Sequence, residues 1–406
     1  MELMPARIRE IVPFLANTEG DPICAYVYDL DALAKHVGRL RRRLPAMCQL
    51  FYAVKANAEW PIVRTLAGHV DGFEVSSGGE LDWIRSHFPD VPIAFGGPGK
   101  TDSELALALD SGVELLHVES AGELHRLAHL ARTRSRRAAI LLRINLPLPE
   151  LATTTLTMGG TPSQFGIDAA QLPGLLEWLQ QHPELELHGF HFHLLSHQLD
   201  AAAHVGLIRI YLETVARWQR EFQLDIRQIN VGGGVGIHYR NTSAQFDWDT
   251  FTDGLGELTR AYAGVTPCLR FELGRYVTAA CGYYVMEVLD LKECFGETFA
   301  VARGGTHHFR TPQAQGHSHP FSIVPVERWP YPFARPEIAE RKVTIAGQLC
   351  TPKDVLARNV HVARLRAGDR IVFPLAGAYA WNISHHEFLR HPPPTVVYLP
   401  HRGPPC

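Results

Sequence analysis

Lys55 closes an apolar and aromatic run, FYAVKAN at 51–57. A lysine partly withdrawn from water loses its proton more easily and can then condense with a carbonyl to form an imine. A strand that merely ends in a solvated lysine uses the same residue. A second run leads into NVGGGVGIHY, with Gly232, Gly233 and Gly234 together. Glycine turns of this kind expose backbone N–H groups to a phosphate; a bare tight turn has the same composition. FELGR at 271–275 holds Glu272 and Arg275. A carboxylate there can keep a pyridinium nitrogen protonated, which makes the ring an electron sink. The guanidinium suits a phosphate or a carboxylate, and a mutual surface ion pair is the plainer use of both. HGFHFHLLSH at 188–197 offers histidines that could lie flat on an aromatic ring, or serve as core or surface residues. Its His-x-His also suggests a metal, but no acid or Cys stands at a useful spacing, so no metal is expected. FGGPGKTD at 95–102 fails as a nucleotide phosphate loop, because Ala94 occupies the place of the required first glycine.

These residues need elements to hold them. Apolar runs at 49–54, 71–75, 91–97, 114–118, 138–145, 186–193, 226–232 and 267–272 supply about eight strands, the number a (β/α)8 barrel requires. Helix-like stretches lie between them at 78–87, 102–111 and 201–222, with Asp102 or Ser103 as a candidate cap. Lys55, the glycine cluster and Glu272 then all fall at the C-terminal ends of strands, the face where such barrels do chemistry. A Pro/Gly/Thr-rich segment at 146–164 reads as a loop on that face. Beyond residue 275 the pattern turns to strands at 277–291, 298–303, 342–346, 370–374 and 395–399, with weak helical periodicity. The expected organisation is an N-terminal segment at 1–25 that could add a strand to the β domain, a TIM barrel at 26–275, and a mainly β domain at 276–406.

The chain has 406 residues, 46% hydrophobic and 20% charged, with a formal net charge of -3. That balance argues against nucleic acid or an anionic membrane as partner. Seven cysteines, with no CxxC pair, suggest reduced thiols in the cytoplasm. The first residues, with Glu2, Arg7, Arg9 and Glu10, do not read as a signal peptide, and no apolar run reaches a membrane span.

Taken in order, the motifs resemble the fold-type III decarboxylases that use pyridoxal 5′-phosphate (PLP), the family of diaminopimelate, ornithine and arginine decarboxylases. YAVKAN (52–57) resembles the motif of the PLP-binding lysine, implying Lys55. FEVSSGGEL (73–81) and GGPGKTDSEL (96–105) resemble two further barrel signatures. HFHLLS (191–196) implies His193 stacked on the cofactor and Ser196 near its phosphate, although Leu195 replaces the family's Gly. Gly232, Gly233 and Gly234 match the phosphate loop. ELGR (272–275) matches Glu-Pro-Gly-Arg with Leu273 in place of Pro, implying Glu272, Gly274 and Arg275 at the cofactor and Arg275 also at the substrate. GQLCTPKDVL (347–356) implies Cys350 as a general acid donated by the second subunit of a homodimer, with Thr351 and Asp354 near the substrate. GAYAWNIS (377–384) implies that Tyr379 contacts PLP.

One departure bears on the substrate. Relatives that act on free diamino acids carry an acidic residue after the catalytic Cys, where this chain has Thr351. Losing that carboxylate penalises a distal ammonium and favours an acylated or anionic far end. THHFRTPQAQGHSHPF (306–321) and ISHHEFLRHPPP (383–394) resemble the siderophore branch, which acts on citryl-diamino acids. Arg310 and His385 are then candidate substrate ligands. A decarboxylase of free diaminopimelate, ornithine or arginine is the alternative. A racemase on the related barrel leaves Cys350 unexplained, and a non-catalytic homologue would not need Lys55, Glu272 and Cys350.

Overall fold

The computed structural model describes residues 3–16, 20–147, 156–157, 159–265 and 268–400. Much of the loop expected at 146–164 and the end of the Pro-rich tail lie outside them. The chain divides into two units. One holds Lys35–Ile237 and Phe246–Val277; the other holds the chain up to Ala34, His238–Gln245 and everything from Thr278.

The first strand, β1 (Cys24–Asp29), belongs to the second unit. The next eight form the first: β2 (Cys48–Ala53), β3 (Gly72–Val75), β4 (Ile93–Phe95), β5 (Leu115–Val118), β6 (Ala138–Asn145), β7 (Leu185–His191), β8 (Gln228–Asn230) and β9 (Leu269–Leu273). Each pairs in parallel with the next, and β9 pairs back onto β2 with Glu272 opposite Phe51, which closes the barrel. All eight lie where the apolar runs predict. Barrel strands are covered on both faces and so read as near-continuous apolar runs. The polar residues inside them are therefore informative: buried away from water they must find partners across the ring.

Helix caps explain how the chain turns from strand to helix. Ser77 Oγ accepts from Glu80 N ahead of Gly78–His87. Thr101, rather than Asp102 or Ser103, caps Asp102–Asp110, in a capping box with Glu104. The box needs its acid three residues after the hydroxyl, and only Thr101 has Glu104 at that spacing. Asp200 caps Ala201–Phe222.

The second unit is an eight-stranded curled sheet. It adds β10 (Gly282–Cys294), β11 (Glu297–Ala302), β12 (Ser322–Val324), β13 (Glu337–Ala346), β14 (Val355–Arg366), β15 (Arg370–Phe373) and β16 (Thr395–Leu399). The order runs β12, β15, β10, β11, β13, β14, and β1 joins β10 and β16. Strands β12 and β14 carry no signal strong enough to appear in the sequence reading. Residues 277–281, read there as strand, are helical turns. The N-terminal segment forms a helix, Ala6–Ile11, whose Ile8 packs with Met4 and Val12 on Ala25 and Val27 of β1 and Val285 of β10. Strand β1 then begins at Cys24 and runs through the boundary drawn at 25/26.

Candidate active site

The mouth of the barrel gathers polar side chains from most of its strands. Lys55 lies in the turn Val54–Ala56 directly after β2. Its Nζ is 2.7 Å from both carboxylate oxygens of Glu74 and 3.1 Å from Ser76 Oγ. Glu74 sits on β3, the neighbouring strand, and is buried. Ser76 Oγ also donates to Glu74 Oε1.

Glu272 lies on β9, two residues after Arg270, so both face the interior. Arg270 is fully buried lower in the barrel, bound to both oxygens of Glu114 and lying 3.8 Å over the Phe51 ring. Glu272 Oε1 accepts from Asn230 Nδ2 of β8 at 2.7 Å. His117 Nε2 of β5 is 3.6 Å from Oε1, and His191 Nε2 of β7 is 3.7 Å from Oε2. Burial, then the charge of Glu74, pushes the Glu272 carboxyl up to about 7. Burial holds His117 and His191 well below the ordinary imidazole value, so both are neutral.

Along the chain no acid stands at a useful spacing from His-x-His. Glu272 is close to His191 in space, with one ligand atom each of His117, His191 and Glu272 within 4.8 Å. An amide N–H of Asn230 occupies this group, 2.7 Å from Glu272 and 3.3 Å from His117 Nε2, and the charges of Lys55 and Arg143 bear on both imidazoles. Those donors and positive charges oppose a cation there.

The glycine loop follows β8. Gly232 and Gly234 have φ +69° and +78°, which only glycine adopts without strain. A Cβ on Gly232 would lie 2.3 Å from His193 Nδ1, and one on Gly233 would lie 2.2 Å from the Glu272 carbonyl oxygen. The loop is thus held against His193 and β9. Gly233 N donates to His193 Nδ1 at 3.3 Å, which leaves the ring proton on Nε2. Burial lowers His193 to about 3, so it too is neutral. Ser196 follows on a short strand, Leu195–Ser196. Leu195, in place of the family's Gly, is buried, and its carbonyl lies where a Cβ on Gly234 would meet it at 2.9 Å. Gly274 and Arg275 begin the turn after β9. A buried pair on the same barrel, Arg143 to Glu119 at 2.8 Å, braces the neighbouring loops, since Glu119 also accepts from Gly97 N. Glu74, His117, Glu119, Arg143 and Asn230 are not singled out by the sequence. Their one signal there is that each is a polar residue in, or one step beyond, an apolar strand.

In the second unit, Cys350 is exposed on the connection from β13 to β14. Asp354, expected at the substrate, organises this connection. It is 2% exposed, Oδ1 accepts from Thr306 N and Oγ1, and Oδ2 accepts from Leu349 N. Thr351 accepts through its carbonyl from Asp354 N. Tyr379 has φ +48°, and its carbonyl accepts from Thr311 Oγ1 at 2.6 Å. Arg310 N donates to Ser384 Oγ, so exposed Arg310 and the His385 loop lie together. His307 stands 5.2 Å from His391 and 3.9 Å from His308, ring to ring. Both ring nitrogens of His307 and Nε2 of His308 are buried without a hydrogen-bond partner among the described residues. The two histidine-rich segments therefore converge.

Comparison with known proteins agrees with this arrangement. Residues 30–279 match the family model described as pyridoxal-dependent decarboxylase, pyridoxal binding domain. The chain is 42% identical, over 94% of its length and 96% of the relative's, to 2-[(L-alanin-3-ylcarbamoyl)methyl]-2-hydroxybutanedioate decarboxylase of Staphylococcus aureus. It is 32% identical, over 92% of its length and 87% of the relative's, to L-glutamyl-[BtrI acyl-carrier protein] decarboxylase of Niallia circulans. Diaminopimelate decarboxylase of Helicobacter pylori, solved with L-lysine, shares the fold with a TM-score of 0.83 at 23% identity, covering 95% of this chain and 93% of that one.

The residues fit a phosphorylated pyridine aldehyde: an amine at Lys55, an acid at Glu272 whose protonation responds to Lys55 and Glu74, and a glycine loop too tight for any side chain. No helix among the described residues is long and apolar enough to cross a membrane. The chain belongs to the pyridoxal-dependent decarboxylases, and it is an enzyme that uses PLP to remove the carboxylate of an amino acid.

Proposed function

We propose that the substrate is a 2,3-diaminopropionate or related diamino acid whose distal nitrogen carries a citryl group, and that the α-carboxylate is lost as CO2. The single observation that carries this reading is the 42% identity, over nearly the whole of both chains, to a relative whose named substrate is a citrate joined through an amide to the β-nitrogen of such an amino acid. The meeting of the two histidine-rich segments supports it, since unpartnered buried imidazoles next to Arg303 suit the carboxylates of a citryl arm. An amine carrying such an arm is an intermediate fit for carboxylate siderophore biosynthesis.

When bound, PLP supplies the electron sink that receives the pair left by departing CO2. The chain's own residues supply the rest. Lys55 Nζ anchors the cofactor aldehyde, and Glu74 holds the amine when it is released. Glu272 keeps a proton at the ring nitrogen. His193 would stack on the cofactor ring, Gly232, Gly233, Gly234, Ser196, Gly274 and Arg275 would hold its phosphate, and Tyr379 is a further candidate contact of the cofactor. Arg275, Arg310, His385 and Thr351 are the candidate substrate ligands, Thr351 coming with the Cys350 that the partner subunit contributes. The partner subunit's Cys350 delivers a proton from Sγ to Cα. The reading therefore includes a homodimer. It also includes a cytoplasmic location, where the six cysteines among the described residues stay reduced and unbridged.

The test is a CO2-release assay comparing N-citryl-2,3-diaminopropionate with free ornithine and free diaminopimelate. Release from the citryl compound alone is expected. Equal release from either free diamino acid defeats the assignment.

A further inference from the structure

His117 takes no part in the chemistry described above, yet it is wholly buried against the acid that does. Its Nε2 lies 3.6 Å from Glu272 Oε1 and 3.3 Å from Asn230 Nδ2, and its Nδ1 has no hydrogen-bond partner among the described residues. His191 flanks the other oxygen of Glu272 at 3.7 Å, with its ring 4.3 Å from that of His117. A gap of 3.6 Å is too long for a hydrogen bond, but a shift of about half an ångström makes it one.

An ionised carboxylate only accepts, whereas a protonated carboxyl must also donate. Burying either state without a matching partner is costly. Asn230 cannot serve both states. Its amide nitrogen only donates, and its Oδ1 is already taken by Gly232 N at 2.9 Å. A neutral imidazole has one acceptor nitrogen, and the donor-only Asn230 Nδ2 at 3.3 Å places it at Nε2 of His117.

We propose that His117 is a positioning residue for Glu272: its Nε2 accepts from Asn230 Nδ2, which holds that amide's other N–H on the ionised acid, and it is the acceptor beside Oε1 when the acid is protonated, so the carboxyl keeps one orientation toward the cofactor nitrogen in both states. This rests on the reading of Glu272 as the partner of that nitrogen. The charged and titratable groups that face the site are Glu74 from β3, Lys55 after β2, Arg143 from β6, His191 from β7 and Arg270 from the same strand as Glu272, with Lys100 acting on the imidazole. Their balance supports the assignment of the proton. Burial and Glu74 raise Glu272 to about 7, while burial drives His117 well down, so the acid and not the imidazole changes charge near neutral pH.

The experiment reconstitutes full-length His117→Leu, His117→Phe and His117→Asn proteins with PLP. It follows the pH midpoint of the bound cofactor's visible absorption and its dissociation constant by fluorescence. The Leu and Phe variants lose both ring nitrogens. They are expected to move the midpoint by about one pH unit and to weaken cofactor binding about tenfold. The Asn variant, with a donor and an acceptor, is expected to recover most of both. A folded Leu or Phe variant with the wild-type midpoint and the wild-type affinity overturns the role of His117. Glu272→Gln separates the underlying reading: if it too leaves the midpoint in place, the acid does not face the cofactor nitrogen and both ideas fall.

Discussion

The amine of Lys55 is gripped symmetrically by Glu74, 2.7 Å from each carboxylate oxygen, although the lysine side chain is 45% exposed and the glutamate only 4%. The acid is thus committed to the interior while its partner can swing. Lys55→Ala is expected to abolish turnover and the cofactor's visible band. It should also destabilise the cofactor-free protein by about 1 kcal/mol, a small value because the amine is partly solvated. Lys55→Ala/Glu74→Ala should regain that loss in urea denaturation, since no unpaired buried carboxylate remains.

Glu272 is raised from the ordinary 4.5 to about 7, chiefly by burial. The folded protein therefore binds this proton more tightly than the unfolded chain. The stabilisation it brings is complete below pH 4.5 and is lost as pH rises toward 7. Cofactor-free Glu272→Gln should melt above the wild type at alkaline pH, with the difference shrinking as the pH falls toward 4.5. Its turnover with PLP should drop at least about a hundredfold. A melting difference that grows on acidification would contradict the assignment.

Asp354 ties the connection bearing Cys350 to the turn at Thr306 through three hydrogen bonds. Asp354→Ala leaves two buried backbone N–H groups and a hydroxyl unpaired. A loss of roughly 2–4 kcal/mol is expected, measured by chemical denaturation, with Asp354→Asn intermediate.

His307 is held down at about 4, first by burial and then by His391, His385 and Arg303. It is neutral in the free enzyme at neutral pH. Carboxylates brought beside it would raise its pKa, so binding would take up protons. The KM for a citryl substrate should therefore fall as pH is lowered through neutrality. His307→Gln should flatten that dependence and raise KM about tenfold, the cost of one charge-assisted hydrogen bond. An unchanged KM profile in the variant would remove His307 from the substrate.

A shared active site makes Lys55→Ala and Cys350→Ala complementary. Each alone should be inactive, while a mixture refolded or exchanged together should recover a fraction of wild-type CO2 release. Recovery fails if each chain uses its own Cys350.

How much was legible depended on how far apart along the chain the interacting residues lie. Eight barrel strands, Lys55 at the end of the first and Glu272 at the end of the eighth could all be read locally. A strand buried on both faces writes its burial into consecutive residues, and the barrel rule then assigns its C-terminal end to chemistry. The partners of those residues could not be read in this way. Glu74 is 19 residues from Lys55, Asn230 is 42 from Glu272, and His117 is 113 from Asn230. Closure of β9 onto β2 brings them together, and nothing local marks the register that does so. Asp354 shows the same limit, since only the fold reveals its hydrogen bonds to Thr306 and Leu349.

By itself the sequence determined the order of the barrel strands and which residues carry an amine, an acid and a glycine turn. Periodicity and residue chemistry are properties of short stretches of chain. Only the tertiary structure decided which polar groups share the barrel interior and which of them are protonated. Burial and neighbouring charge set those energies, and both exist only once distant strands have closed around the same space.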